Sequence, residues 1–124
     1  NIKDAFVINF ALDFEVTAFK TYNNQEVILN CITELQDYFA VDKWQVNQPI
    51  VMSEIKNLIG GILGVQTVED VKITNKSGIS TGYSQYKYDF ESATRKGVIY
   101  PSLDPSIFEL KFPNADIRGR VTTY

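Results

Sequence analysis

Histidine is absent from the 124 residues, and cysteine, methionine and tryptophan occur once each. Without histidine the chain lacks the commonest general base and the commonest zinc or copper ligand. One cysteine, Cys31, can neither close an internal disulfide nor build a thiolate metal cluster. The fold therefore rests on its apolar core, in keeping with synthesis in a reducing compartment. Cys31 falls on the apolar side of a candidate helix with no histidine to act as its base, so a buried, unreactive side chain is expected. No apolar run approaches the roughly 20 residues of a membrane-spanning helix. The opening Asn1–Asp4 leads into an alternating pattern rather than the continuous apolar stretch of a signal peptide. Lys plus Arg gives 12 against 15 for Asp plus Glu, a net charge of −3, which argues against a dedicated binder of nucleic acid or anionic membrane. Also missing are a Gly-x-Ser-x-Gly elbow, a phosphate-cradling loop ending in Lys-Ser/Thr, and a calcium-loop spacing.

What is present is the composition of an ordinary folded chain, 44% hydrophobic and 22% charged. That is read as a single domain over residues 1–124, large enough to bury about two-thirds of its unfolded surface. The start without Met is expected of a C-terminal piece of a larger protein. Phe6, Ile8, Phe10, Leu12, Phe14, Val16 and Ala18 occupy every second position, a long strand with one face on the core, the other partly solvated, and a bend or bulge expected near its middle. Asn23 or Asn24 then opens a helix through about Phe39, with Ile28, Ile32, Leu35 and Phe39 inward, flanked by Val27, Cys31 and Tyr38. Trp44 is expected to pack against the helix ends.

A second helix is expected from a Ser53 cap, with Glu54 in its first turn and Ile55, Leu58, Ile59, Ile62 and Leu63 along its buried stripe. Gly64 is placed to end it in the left-handed region, and Val71 and Ile73 alternate with Asp70 and Lys72 in the strand that follows. Gly60 and Gly61 lie inside this helix, where close packing on a neighbour accounts for them better than a nucleotide fingerprint, which must open a helix. Asn75–Gln85 has loop composition, and Tyr86, Tyr88 and Phe90 alternate as a short strand. Further extended pieces are expected over Val98–Tyr100, Phe108–Phe112 and Ile117–Val121. This order predicts an α+β fold: a largely antiparallel sheet with two consecutive helices packed on one face.

Two blocks carry a resemblance. Residues 44–73, WQVNQPIVMSEIKNLIGGILGVQTVEDVKI, resemble the C-terminal region of baseplate J-like proteins from contractile phage tails and related injection machines. Gly97–Val121, GVIYPSLDPSIFELKFPNADIRGRV, resembles the extreme C-terminus of the gene-six baseplate wedge proteins of T-even-type myophages. The resemblance implies a structural, non-enzymatic virion component made late in infection. Such a protein is assembled in the host cytoplasm into the tail baseplate. Its implied partners are itself, as a homodimer, and other baseplate wedge proteins, which join into a ring around the tail hub. No nucleic acid, membrane, small-molecule substrate, cofactor or metal is expected.

Aromatic side chains remain to be placed: 8 Phe, 7 Tyr and 1 Trp. The Phe residues fall mostly on inward strand positions. Tyr83, Tyr86, Tyr88, Tyr100 and the terminal Tyr124 cluster in the second half near turns, and a rigid apolar ring with a polar tip suits a protein interface. Tyr83, Tyr86, Tyr88 and Tyr100 are the candidate contact residues, although Tyr86 and Tyr88 fit a core-facing strand equally well. The carboxylates Glu69, Asp70, Asp89, Glu91 and Asp104 are read as strand-edge charges and turn caps, Asp104 in a Ser-Leu-Asp-Pro-Ser turn. The competing functional class is a small-ligand-binding regulatory module on a ferredoxin-like sheet.

Overall fold

The computed structural model describes residues 6–102 and 105–122, so Asn1–Asp4, the Asp104 turn and Tyr124 lie outside the described residues. In strand β1, Phe6–Ala18, the expected inward residues Ile8, Phe10, Leu12, Phe14 and Val16 are all buried, but Asn9, Ala11 and Thr17 on the other face are buried as well. Helix α1, Asn24–Tyr38, begins at Asn23, whose Oδ1 accepts the Gln25 and Glu26 N–H groups at 2.9 and 3.1 Å. Such a cap is worth about 1 kcal/mol. Val27, Cys31 and Leu35 form the buried centre of α1, whereas Ile28 and Ile32, expected inward, are only half-buried, and the helix leads into an aromatic cluster of Tyr38, Phe39 and Trp44. Trp44 thus packs at the helix end, as its position predicts.

The short strand β2, Ile50–Val51, precedes helix α2, Met52–Gly60. Here the structure corrects the expected boundaries. The residue before the helix is Val51, with no side-chain cap, and the Met52 N–H donates instead to the Gly97 carbonyl at 2.8 Å. The helix also stops at Gly60, so Leu63 lies beyond the buried stripe and is largely exposed, while Ile55 and Ile59 are fully buried. The close packing expected at Gly60–Gly61 is absent: Gly60 is exposed, and a Cβ there would sit 3.7 Å from Val68. Close approach falls at Gly64 instead. Its φ is +97°, and a Cβ would come within 2.8 Å of Val27.

Strand β3, Val65–Lys76, runs antiparallel to β1 with Leu12 opposite Ile73 and Phe14 opposite Val71. The irregularity expected near the middle of β1 lies instead at its C-terminal end, between Glu15 and Val16 and again between Thr17 and Ala18. After a loop come helix α3, Phe90–Ala93, and two short strands, β4, Thr94–Arg95, and β5, Val98–Ile99. These strands form a small antiparallel sheet with β2, in the order β2-β5-β4. The expected Tyr86–Phe90 strand does not form. Asn75 Oδ1 takes the Tyr88 N–H at 2.9 Å, and the Asp89 side chain caps α3, so side chains rather than a neighbouring strand hold this segment.

The remaining edge of β1 is shared by two strands in succession. β6, Ser106–Glu109, pairs parallel with Phe6–Asn9, and β7, Ile117–Val121, pairs parallel with Leu12–Val16. The Leu12 N–H reaches the Asp116 carbonyl at 2.8 Å between them. Helices α1 and α2 pack together over this sheet, α1 against β7 and α2 against β3. The fold is therefore α+β, with antiparallel pairing along β3 and in the small sheet, and parallel pairing where the chain returns to β1.

Gly119 pairs with Phe14, and the Phe14 ring lies where a side chain at 119 would project: a Cβ would come within 2.0 Å of Cζ. Gly119→Ala should therefore destabilise the protein by about 1–3 kcal/mol through overpacking. Gly60→Ala, which meets only ordinary contacts, should be neutral or stabilising by up to about 1 kcal/mol. Urea unfolding of the two variants checks this, and equal effects would refute the close approach at Gly119.

Candidate protein-contact surface

Between β3 and β5 the chain carries three of the four candidate tyrosines, and the structure sends them to different places. The segment is fixed first by asparagine. Asn9, fully buried in β1, accepts the Ser84 N–H at 2.6 Å and donates through Nδ2 to the Glu109 carboxylate at 2.8 Å and carbonyl at 3.2 Å. Its amide therefore ties β1 to β6 and to the loop. Asn75 does the same from β3, donating to the Asn9 carbonyl while accepting from Tyr88. Neither residue was singled out by sequence. The signal available was a polar side chain at position 9, where its strand neighbours Val7 and Ala11 are apolar.

Tyr83 turns inward. Its hydroxyl donates to the carboxylate of the buried Asp116, with O···O distances of 2.8 and 3.0 Å, and its ring meets Phe112 edge-on at 5.2 Å. Tyr88 is half-buried against Phe90 and Phe108, and its hydroxyl donates to the Tyr100 carbonyl. Tyr86 lies against Phe6 with 39% of its surface exposed. Tyr100 is 47% exposed while its backbone is held on both sides, the N–H by the Ala93 carbonyl and the C=O by Tyr88.

Tyr88 and Tyr100 come together on one open groove of about 740 Å³, with Pro101, Arg95 and Asn47. Asn47 is itself a fixed point. It adopts φ +63°, which asparagine tolerates better than most residues, and exchanges two hydrogen bonds with the Ser106 backbone at 2.7 and 3.1 Å. The groove is thus an aromatic and cationic surface on a hydrogen-bonded frame. Tyr83 and Tyr86 lie elsewhere, around the loop that covers the start of β1.

Other candidate chemistry stays dispersed. Among the described residues no three Cys, Asp or Glu side chains gather where they could hold a metal ion. Cys31 is inaccessible, and burial pushes its thiol up to about 11. Asp89 serves as the α3 cap, as read, and Asp70 stands on the solvent face of β3. On the same face Glu15 is drawn below the usual carboxylate range by hydrogen bonds from Thr122 and then Arg120, the latter at 2.8 Å. No described helix is long and apolar enough to cross a membrane. No protein-family model matches this chain, and neither does any curated protein sequence.

Three hydroxyls titrate high. Burial, then a 2.8 Å hydrogen bond to Glu54, pushes Tyr38 up to about 12. Tyr88 is raised by burial, and Tyr83 by burial and then Asp116. Because these folded-state values exceed the unfolded tyrosine value of about 10, their contribution is complete below that pH and lost as pH rises towards 12. Denaturant unfolding across that range should show a steady fall in stability, and Tyr38→Phe should make the fall shallower. A flat profile would refute the burial of these hydroxyls.

Proposed function

We propose that this chain is a structural, non-enzymatic domain of a contractile phage tail baseplate that acts through protein–protein contacts. Its site of action is the virion, after assembly in the host cytoplasm, and its partners are a second copy of itself and other baseplate wedge proteins. The observation that carries the contact role is Tyr100. Its ring faces solvent beside Pro101 and Arg95, yet its backbone is fixed by Ala93 and Tyr88. A large ring with few rotatable bonds on a fixed backbone has little entropy to lose on contact, and Tyr, with Arg, is frequent among the residues that dominate interface energy. Tyr86 offers a second exposed ring. Tyr83 and Tyr88 contribute as supports, holding the loop and the Tyr100 backbone. The baseplate setting rests on the resemblance of residues 44–73 and Gly97–Val121 to the wedge proteins.

Sedimentation over a wide concentration range, alone and with baseplate wedge proteins, tests the reading. Self-association or complex formation is expected, weakened about tenfold or more by Tyr100→Ala and less by Tyr86→Ala. Unchanged affinities for both variants would remove this surface. A strict monomer that binds no wedge protein but is stabilised by a metabolite or nucleotide would favour the small-ligand reading.

A further inference from the structure

β3 ends the main sheet, whose order is β3-β1-β6, with β7 also on β1. Which of its backbone groups face outward follows from β1. The Leu12 N–H donates towards the β7 side, to Asp116, and the Val16 carbonyl accepts from Thr122 on that same side. Even-numbered residues of β1 therefore direct their backbone groups towards β6 and β7, and odd-numbered ones towards β3. Asp70, Lys72 and Thr74, opposite Glu15, Asp13 and Ala11, are thus the inward-bonded residues of β3. Val71 and Ile73 between them point their N–H and C=O groups away from the sheet. Among the described residues nothing bonds these groups.

The stretch is also regular. The shifts of register lie at the far end, after Glu15, and pairing from Asp70 to Lys76 continues without a bulge or proline. Of the devices that commonly blunt a native edge, this stretch has charge, at Lys72 and Lys76, but neither bulge nor proline. Val71 and Ile73, with Lys72, Thr74 and Asn75, line a cleft of about 490 Å³ alongside β3. Met52, Phe90 and Ile99 give it an apolar wall, and its charged lining residues are Asp89, Glu91 and Lys72. Two donors and two acceptors in line, an apolar wall and an excess of carboxylate define what fits.

We propose that the Asp70–Asn75 edge of β3 is a strand-addition site for an extended segment of another polypeptide, one that alternates apolar and basic side chains. The backbone of the segment pairs with Val71 and Ile73, its apolar side chains face Met52, Phe90 and Ile99, and its basic ones reach Glu91. The cleft adjoins the Tyr100 groove at Tyr88, which lines both, but the strand-addition site stands whether or not the baseplate reading does.

Amide exchange followed by NMR tests it, with a short capped peptide alternating Val and Lys as the probe. Adding the peptide should slow exchange of the Val71 and Ile73 amides about tenfold or more, with little change at Lys72 and Thr74, which are already bonded. Peptide N-methylated at alternate residues, which cannot pair, should give no protection. Glu91→Lys, an exposed change, should weaken binding about threefold or more at low salt. Absence of binding at millimolar peptide, binding without protection of Val71 and Ile73, or equal protection by the methylated peptide would each overturn the proposal.

Discussion

The structure depends on the need of β1 to pair its backbone on both sides at once. From Ile8 to Leu12 every side chain is buried on either face, so water reaches few of its amides. An unpaired buried N–H or C=O costs about as much as a lost hydrogen bond, so neighbours are required on both edges. β3 supplies one edge over most of the length of β1. The other needs two short strands end to end, because the chain leaves at Glu109 and returns at Ile117. The Asp116 carbonyl closes the gap for Leu12, and Asn9 satisfies its own buried amide by bonding Glu109 and Ser84. These contacts bring the last third of the sequence back onto its first strand.

That strand also organises the core. Burial of Phe10, Leu12 and Val16 contributes about 1.5–3 kcal/mol each, and α1 and α2 supply the cover that makes it possible. Small residues sit where the covering pieces come closest: Gly119 gives room to the Phe14 ring, and Gly64 turns the chain against Val27. The same face is polar on its reverse side, where Glu15 meets Arg120 in an exposed ion pair worth little by itself. Solubility of that face, rather than stability, is what its charges provide.

Aromatic residues divide between these two economies of inside and outside. Phe10, Phe39 and Trp44 meet in the core, and Phe90 and Phe108 meet under Tyr88. Tyr83 and Tyr88 place their rings against other rings and use their hydroxyls to tether loops. Tyr86 and Tyr100 keep their rings outward. The four share composition and neighbourhood in sequence, but only Tyr88 and Tyr100 share a surface.

The sequence by itself determined the α+β class, the buried alternate residues Ile8 to Val16 of β1, the opening of α1 at Asn23 or Asn24, the burial of Leu35 and Phe39, the left-handed Gly64, and the alternation of Val71 and Ile73 with Asp70 and Lys72. Each depends on local periodicity or on one residue's backbone preference, and these act over a few positions. The tertiary structure alone decided that β6 and β7 run parallel to β1, because alternation reports which face is buried and nothing about the neighbour. It decided that Tyr86–Phe90 forms no strand, since Asn75 and Asp89 took the backbone groups a strand would have paired. It ended α2 at Gly60 and left Leu63 outside, although the apolar spacing runs on. It also chose which tyrosines face solvent, because exposure depends on what the rest of the chain covers.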